Sequence, residues 1–413
     1  MEQMINYNAM LSNSIWVAIA AVLVLFMNFG LAFFYGGMVS GRNVLNTIKM
    51  SIVTLGIIPI VWWALGYSLV FAKGGAFQES FHQMFFNHVD VFSAFPGTKV
   101  MTVSFICFQA MFASISPAIM SGSGVERLRF DAYLIFIALW VVLIYCTIAH
   151  SFWNADGWAA NFGAFDFAGG NVVHVSAGFS GLALAFALKP RKNTQNRPHN
   201  LPFMTVGCGL LWFGWFGFNG GSSLDVSGIS LIAIANTMFA TAAAMTTWVL
   251  CDAITGRAKT ATGLCSSLVM GLVAITPSAG YVTIGSAIEI GAITAVLAYF
   301  LILYYNKLKH KVDDTLDVFV CHGIPGFIGS IMVGVFASHT VNSAIPDGLI
   351  YGNFMLVYKQ VVATGLTAFF SFFGTWVLLY VLKHVIKIRV ESDSEDAGLD
   401  TSVHGERAYQ SLK

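Results

Sequence analysis

The chain alternates between long apolar runs and short polar connections. A helix needs about 20 mostly apolar residues to cross a bilayer, where its backbone polar groups must be satisfied internally. Eleven runs fit this pattern, of which the eighth is short. We therefore predict an all-α integral membrane protein with transmembrane helices at Ile15–Gly36, Val44–Ala72, Val100–Gly124, Ala132–Trp153, Gly169–Leu188, Leu201–Phe218, Leu231–Cys251, Thr262–Thr276, Tyr281–Tyr305, Val318–Ala337 and Leu356–Ile386.

Lys and Arg residues are concentrated in alternate connections, and cytoplasmic loops of membrane proteins carry an excess of these residues. The even-numbered connections between the predicted helices hold only Lys73, Lys99 and Lys359 as basic residues. We predict that the N-terminus lies outside and the C-terminus in the cytoplasm, which requires an odd number of helices. The residues on the predicted cytoplasmic side are Arg42, Arg127, Arg129, Lys189, Arg191, Lys192, Arg197, Arg257, Lys259, Lys307, Lys309, Lys311, Lys387 and Arg389.

Two of the predicted helices carry similar segments. Phe26–Gly37 reads FMNFGLAFFYGG, and Leu211–Gly221 reads LWFGWFGFNGG. An offset of five helices inverts the second copy relative to the first. This pattern indicates an inverted repeat of helices 1–5 and 6–10 around a central pore, with the site near the midplane. The transmembrane domain is predicted at residues 1–389 and a cytoplasmic regulatory tail at residues 390–413.

Composition agrees with a membrane protein. Hydrophobic residues make up 57% of the chain and charged residues 10%, whereas about a quarter of a soluble domain is charged. The formal charge of +1 gives no reason to expect nucleic acid as a partner. We predict a multi-pass protein of the cell membrane, surrounded by lipid and typical of a bacterial inner membrane.

Other compositional signals are weak. The six cysteines lie almost entirely in apolar stretches without metal-ligand spacing, so we interpret them as packing residues. The first 14 residues contain no Lys or Arg, and no small-residue cleavage pattern follows the first apolar run, so we expect this run to remain as a helix. We expect neither a cofactor nor a metal.

Two histidines occupy equivalent positions in the two proposed halves. His174 and His322 each follow an aspartate at the same spacing, Asp166 and Asp314. Ionisable groups inside membranes usually mark a substrate or proton path. Either histidine alone is equally compatible with a carbonyl-bonded residue at a helix contact, but the matching positions favour a functional pair. Two histidines without nearby cysteine or carboxylate ligands do not complete a zinc site.

Several segments resemble motifs of the ammonium transporter family (Amt/Mep/Rh), in its bacterial Amt form. The likeness extends in order over nearly the whole chain, which makes it more specific than any single motif. The segments are FQAMFASI at Phe108–Ile115, VERLRF at Val125–Phe130, DFAGGNVVHVSAGFSGLALAFALKPR at Asp166–Arg191, GWFGFNGGS at Gly214–Ser222, DDTLDVFVCHG at Asp313–Gly323 and GLDTSVHGERAY at Gly398–Tyr409.

The resemblance implies an outer site that recruits the ammonium ion. Phe112, Trp153 and Ser222 match its aromatic faces and hydroxyl, and Asp166 matches an aspartate that holds the site together through backbone hydrogen bonds. Trp158 follows Trp153 closely, so the tryptophan assignment depends on alignment across a loop, and we favour Trp153. Either ring is also compatible with the aromatic belt at a membrane interface.

The resemblance also implies the parts of the conducting path. Phe112 and Phe218 match a stacked pair that closes the pore below the outer site, with Phe108 as a neighbour of less certain role. His174 and His322 match twin histidines of the lumen. The expected function is therefore transport of ammonium, and of methylammonium if the site accepts it, in which the ion loses its proton and neutral ammonia passes the lumen. The paired histidines are candidates for relaying the proton.

Glu289 and the C-terminal tail are two further charged features of the chain. Glu289 lies well inside the ninth predicted helix, where a buried carboxylate needs a partner or a proton, and a subunit contact or a water-filled recess would explain it. The tail begins with the acidic run ESDSED, which a disordered segment would also show. The family pattern that follows favours an ordered segment that couples the subunits of a homotrimer and binds a cytoplasmic PII signal protein.

Alternative functions remain open at this level. A neutral gas channel of the Rhesus type would share the twin histidines but would not need the aromatic recruitment site. An ammonium sensor would bind the ion and signal through an added domain, whereas this chain ends soon after its last helix. The sequence shows no Ser/His pair with an oxyanion loop, no nucleotide loop and no metal set, so we do not expect an enzyme.

Overall fold

The computed structural model describes residues 2–77, 81–194, 198–308 and 311–409. Within these residues, ten helices are long and apolar enough to cross a membrane, and a shorter apolar helix lies where the eighth was predicted. We number them α1 Met4–Met38, α2 Val44–Phe71, α3 Thr102–Ser121, α4 Phe130–Phe162, α5 Gly170–Leu188, α6 Leu201–Gly221, α7 Gly228–Ile254, α8 Ala261–Ile275, α9 Ile284–Leu308, α10 Phe319–Phe336 and α11 Phe354–Leu382.

The predicted all-α membrane fold is confirmed, and most predicted helix ends lie within a few residues of the observed ones. The start of α1 is the largest difference, because its helix continues through polar residues that precede the apolar run. Just before the apolar run, the amide of Asn13 donates to the carbonyl of Lys99 and its Oδ1 accepts from the N–H of Val226, which ties this part of α1 to two other segments. The α4 prediction ended at Trp153, after which the short helix Trp158–Phe162 follows a turn.

The similar segments of α1 and α6 pack against each other along the length of both helices. A Cβ atom at Gly30 would lie 2.9 Å from the backbone nitrogen of Leu211, and one at Gly214 would lie 2.7 Å from the carbonyl oxygen of Leu23. No side chain fits at either position without a shift of the backbone, so glycine is required for this close approach. The resemblance between the two segments therefore has a packing cause, since each supplies the small residues for the contact between the two halves.

Loops predicted to be cytoplasmic meet at one end of the helical bundle. Arg127, whose side chain is fully buried, donates to the carbonyls of Lys189 (2.9 Å) and Asp313 (2.5 Å) and to the hydroxyl of Thr315 (2.6 Å). Arg191 forms ion pairs with Asp313 and with Glu126. Of the predicted cytoplasmic cations, Arg197 and Lys309 lie outside the described residues.

The tail packs against the same end of the bundle. It contains two short helices, α12 Ser392–Ala397 and α13 Leu399–Ser402. Both carboxylate oxygens of the buried Asp400 accept backbone N–H groups at the start of α2, from Asn46 at 2.8 Å and Leu45 at 3.0 Å. The N–H of Leu399 donates to Asn43 Oδ1 at 2.8 Å. These contacts, made at residues 399 and 400, fix the tail by its backbone as well as by its side chains.

Candidate functional site

A cavity of about 220 Å³ opens at the end of the bundle opposite the tail. One stripe of α3 lines it, with residues at spacings of three and four positions: Phe105, Phe108, Gln109 and Phe112. Residues this far apart share a helix face. Other elements complete the wall with Phe71, Phe95, Pro96, Thr98, Trp153, Phe167, Ser222 and Leu224.

Trp153, rather than Trp158, lines this cavity. The ring of Trp153 meets that of Phe112 edge-on, with centroids 5.8 Å apart. Its indole Nε1 donates to the backbone carbonyl of Asp166 at 3.0 Å, which fixes the orientation of the ring. Trp158 lines a separate apolar recess together with Leu366 and other residues of α11. The structure therefore places the favoured tryptophan beside Phe112.

Ser222 lies at the end of α6, on the wall of the same cavity. Its hydroxyl donates to the carbonyl of Phe218 at 2.8 Å. Because the proton of the hydroxyl is used in this bond, the lone pairs of Oγ remain available to accept a hydrogen bond. A half-buried acceptor next to two aromatic rings suits a small cation that carries N–H groups.

Phe112 and Phe218 lie between the cavity and the interior of the bundle. Their rings stack with centroids 4.2 Å apart and planes inclined by 25°, and both side chains are buried. Phe108 meets Phe112 edge-on at 4.7 Å. The predicted pair is thus assembled as a stack, and Phe108 supports it from the side of the cavity.

Asp166 precedes α5 and accepts four backbone hydrogen bonds from the start of that helix. Its Oδ1 accepts from Gly169 (2.9 Å) and Gly170 (2.7 Å), and its Oδ2 accepts from Asn171 (2.7 Å) and Val172 (3.1 Å). Burial raises the pKa of Asp166, and the four N–H groups oppose this shift. A carboxylate at a helix N-terminus satisfies donors that have no partner within the helix. Asp166 therefore holds the start of α5, and through its carbonyl the ring of Trp153.

His174 and His322 are brought together deeper in the bundle. Their rings are 5.6 Å apart between centroids, with planes inclined by 26°. Each lies in a π-helical turn, Gly170–Val175 in α5 and Phe319–Gly323 in α10. Such turns are rare and often occur at functional sites. The matching turns strengthen the equivalence of the two halves that the sequence indicated.

The crossing of α5 and α10 sets the spacing of the two histidines. A Cβ atom at Gly178, one helical turn after His174, would lie 2.2 Å from the Cα of Gly323. Since Gly323 follows His322 directly, the two helices touch through backbone atoms beside both histidines. A larger residue at Gly178 would separate the two imidazole rings.

The polar atoms of both imidazoles face the interior. Among the described residues, Nδ1 and Nε2 of His174 and Nδ1 of His322 have no hydrogen-bond partner, although both rings are buried. His174 stacks on Trp215 at 5.2 Å and lies 5.7 Å from Phe218. Unpaired buried nitrogens are costly in a resting protein. They are suited to a guest that donates or accepts hydrogen bonds in the lumen.

Some residues at or near the site were not found from sequence. Gln109 lies inside a quoted family segment, and its position on the aromatic stripe of α3 was the available signal. Trp215 carried no signal beyond its place in GWFGFNGGS. Glu289, whose place in the sequence suggested a subunit contact or a water-filled recess, is exposed on the surface of α9 in the single chain, so it needs no partner within the bundle.

The chain is similar to known proteins over nearly its whole length. The profile of the family described as Ammonium Transporter Family matches residues 15–409. An ammonium transporter of Bacillus subtilis (strain 168) is 41% identical over 97% of this chain and 99% of that protein. The crystal structure of Candida albicans Mep2 is similar with a TM-score of 0.86 at 32% identity, covering 93% of this chain and 87% of that one. A structure described as a sensor Amt protein is similar with a TM-score of 0.87 at 29% identity, covering 98% of this chain and 100% of that one.

Proposed function

Because this chain belongs to the ammonium transporter family, a family of membrane transporters rather than enzymes, we propose that it recruits NH4+ at the outer cavity and conducts NH3. In this proposal Phe112, Trp153 and Ser222 bind the ion, and the stack of Phe112 and Phe218 excludes it in its hydrated form. The proton leaves near this stack, and ammonia passes His174 and His322. It gains a proton again on the cytoplasmic side.

Recruitment follows from the aromatic wall. A cation over an aromatic face gains about 0.5 to 2 kcal/mol, and more where water is excluded. Phe112 and Trp153 present two such rings at 5.8 Å from each other, and Ser222 adds an oxygen acceptor. These contributions replace only part of the hydration energy of the ion. The cavity is therefore able to concentrate ammonium without holding it tightly.

The stacked phenylalanines are the observation that carries the proposal. With the rings 4.2 Å apart and both side chains buried, no hydrated ion passes between them without a rearrangement. An isolated charge in an apolar medium costs tens of kcal/mol in the Born limit, and such a group sheds its proton instead. Ammonium has a proton to lose and potassium has none, so the same barrier supplies selectivity.

The twin histidines are proposed to receive ammonia and to relay the released proton. Their unpaired nitrogens lie directly below the stack, since His174 contacts Phe218. Two imidazoles this close titrate as a pair, so the proton belongs to both rings. Transport that moves the proton along with ammonia is electrogenic, which separates this proposal from a neutral gas channel of the Rhesus type.

Ammonium-evoked current in purified proteoliposomes on a capacitive membrane tests the proposal. We expect a current on addition of ammonium, none above background on addition of potassium at the same concentration, and a smaller one with methylammonium. Ammonium uptake without current would favour the neutral channel. Equal currents from potassium and ammonium would contradict the proposal.

A second candidate is an ammonium sensor, which the similarity to a sensor Amt protein favours. A sensor would bind ammonium at the same cavity and conduct little. Binding can be measured separately by the quenching of tryptophan fluorescence, since Trp153 lines the cavity. Saturable quenching by ammonium in a protein that gives no current would favour the sensor.

The tail is proposed to act as the regulatory segment of a homotrimer with one pore in each subunit. Support comes from its ordered contacts with the bundle: Asp400 with the start of α2, and Arg389 with Glu395 at 2.8 Å and with the carbonyl of Leu188 at 2.7 Å. A PII protein that binds this surface would sense the position of the tail. Native mass spectrometry tests the assembly, and a monomer would contradict it.

Deletion of Gly398–Tyr409 tests the regulatory role. We expect the truncated protein to lose binding of a PII protein in a pull-down with purified components, while the elution volume of the assembled protein is unchanged. The matched control is Asp393→Ala, an exposed tail residue outside the deleted segment. Binding that is unchanged by the deletion would contradict the proposed role.

A further inference from the structure

Gln109 is the polar residue in the aromatic stripe of α3. Phe105, Phe108, Gln109 and Phe112 line the outer cavity at spacings that place them on one helix face. Its neighbours on the stripe are phenylalanines, so the amide of Gln109 is a polar group on an otherwise apolar helix face. Its side chain is 7% exposed, so the amide lies in the wall rather than in open solvent.

The amide of Gln109 is not held by the protein. Among the described residues, its Oε1 has no hydrogen-bond partner and is shielded from solvent. A buried carbonyl oxygen without a partner is costly, and native structures seldom leave one without a reason. By contrast, Gln360 uses its amide fully, since Oε1 accepts from the N–H of Phe165 and Nε2 donates to the carbonyls of Phe165 and Ser330.

We infer that Gln109 is a further substrate-positioning residue, whose Oε1 accepts a hydrogen bond from ammonium in the outer cavity. Rotation about the terminal bond of the side chain turns Oε1 into the cavity, where the N–H groups of the ion supply the missing partner. This inference rests on the proposed function of the cavity. Together with Ser222 Oγ, Gln109 gives the ion two oxygen acceptors in addition to the faces of Phe112 and Trp153.

Neutral acceptors fit the task of this cavity. Of the described residues that line it, none carries a carboxylate, and the nearby carboxylate of Asp166 is occupied by four backbone N–H groups. A carboxylate in contact with the ion would attract it far more strongly than a dipole does. Strong attraction would disfavour loss of the proton and onward passage, whereas an amide replaces a water molecule at modest affinity.

Currents of Gln109→Met and Gln109→Glu proteoliposomes test this inference. Methionine keeps the length of the side chain and removes the acceptor, so we expect the apparent KM for ammonium to rise about tenfold, as for loss of a hydrogen bond to a charged group, with a smaller change in the maximal current. Glutamate keeps an acceptor and adds charge, so we expect its KM to be at or below that of the unchanged protein.

The matched control is Gln83→Met. Gln83 lies in the segment Phe81–Phe86 outside the cavity, and its Oε1 also has no partner among the described residues. We expect the KM of Gln83→Met to be unchanged. Removal of an amide by itself is then excluded as the cause of the higher KM in Gln109→Met. Thermal unfolding of each variant separates a loss of stability from a loss of the acceptor. A merely structural effect would lower the melting temperature without changing KM.

The outcomes distinguish this inference from the proposed function. If the unchanged protein gives no ammonium current, the proposed function fails. If it conducts but Gln109→Met leaves KM unchanged, or Gln109→Glu raises KM as much as Gln109→Met does, the acceptor role is wrong. Should Gln109→Met fail to fold, Gln109→Asn replaces it: its shorter amide withdraws the oxygen from the cavity, and an unchanged KM overturns the inference equally.

Discussion

The starts of α5 and α10 are built alike and lie in different surroundings. In each, an aspartate precedes a histidine at the same spacing, and the histidine lies in a π-helical turn. Asp166 accepts four N–H groups of its helix. Asp314 accepts from the N–H of Phe319 at 2.7 Å, while burial, and after it the neighbouring carboxylate of Asp317, raises the pKa of Asp314 to about 6.

Their neighbours differ as well. His174 contacts Trp215 and Phe218, so the copy before α5 is joined to the stack of Phe112 and Phe218. The segment before α10 is joined to the ion pairs at the opposite end of the bundle, because Arg127 donates to the carbonyl of Asp313 and the hydroxyl of Thr315. The same motif therefore has different neighbours in its two copies. The copy before α5 positions the wall of the outer cavity, and the copy before α10 adjoins the ion pairs at the end of the bundle where the tail lies.

The largest expected effect separates the two aspartates. Asp166→Ala leaves four N–H groups without their acceptor, so we expect a loss on the order of 4 kcal/mol in unfolding free energy and no ammonium current. Asp314→Ala removes a carboxylate that accepts the N–H of Phe319, so fewer helix donors lose their acceptor and we expect a smaller loss. Thermal unfolding in detergent measures both.

Asp166→Asn serves as the control for the first comparison, because the amide retains one oxygen acceptor and its effect should lie between those of the unchanged protein and Asp166→Ala. Equal losses of stability in Asp166→Ala and Asp314→Ala would show that the two helix starts are equivalent.

We expect the two histidine variants to differ in their apparent KM for ammonium and to affect stability less than the two aspartate variants do. We expect His174→Ala and His322→Ala each to lower the ammonium current at least tenfold, about 1.4 kcal/mol or more in barrier, because each removes half of the proposed relay. His174→Ala should also weaken recruitment, since its ring packs on Phe218 beside the outer cavity. Apparent KM, measured with the current, separates the two. A variant with full current that still discriminates against potassium would remove the relay role.

The sequence was sufficient for the helices and for most of the candidate site, for a physical reason. Membrane helices need long apolar runs, so their number and order are visible in the composition alone, and even the short α8 was placed. The twin histidines stood out because ionisable residues are rare in such runs. What composition cannot supply is the direction of a side chain within a helix that is apolar on all sides, as with Glu289, which faces outward.

The rest of the site depended on contacts between distant segments. Trp153 and Trp158 are equivalent by residue type, and the fold separates them, since Trp153 contacts Phe112 and donates to the carbonyl of Asp166 whereas Trp158 lines another recess. The π-helical turns at His174 and His322 have no signal in residue type and are visible only in the folded backbone. The burial of Arg127 also needed the fold, since its partners lie 62 to 188 positions away.

A more moderate effect is expected where the tail meets the start of α2. Asp400 caps the start of α2 from a distance in sequence, and burial raises its pKa while the N–H groups of Asn46 and Leu45 oppose the shift. Loss of a helix cap costs about 1 to 2 kcal/mol, so Asp400→Ala should release the tail while the bundle stays folded. Hydrogen exchange should increase at residues 399–409 and remain unchanged in α5. Unchanged exchange at the tail would show that its other contacts hold it without this cap.

The smallest expected effect concerns the exposed ion pair between Lys49 and Glu406. Their atoms are 2.7 Å apart, but the side chains are 36% and 54% exposed, and such pairs are screened by water and salt. We expect Lys49→Met to shift the melting temperature by less than about 1 °C. The buried pair of Arg191 with Asp313 offers the contrast, since Arg191→Met leaves a buried carboxylate without its partner and should lower the melting temperature by several degrees. If Lys49→Met were as harmful as Arg191→Met, exposed charge would contribute as much to stability as the buried network does, because Lys49 of α2 pairs with Glu406 of the tail only at the surface.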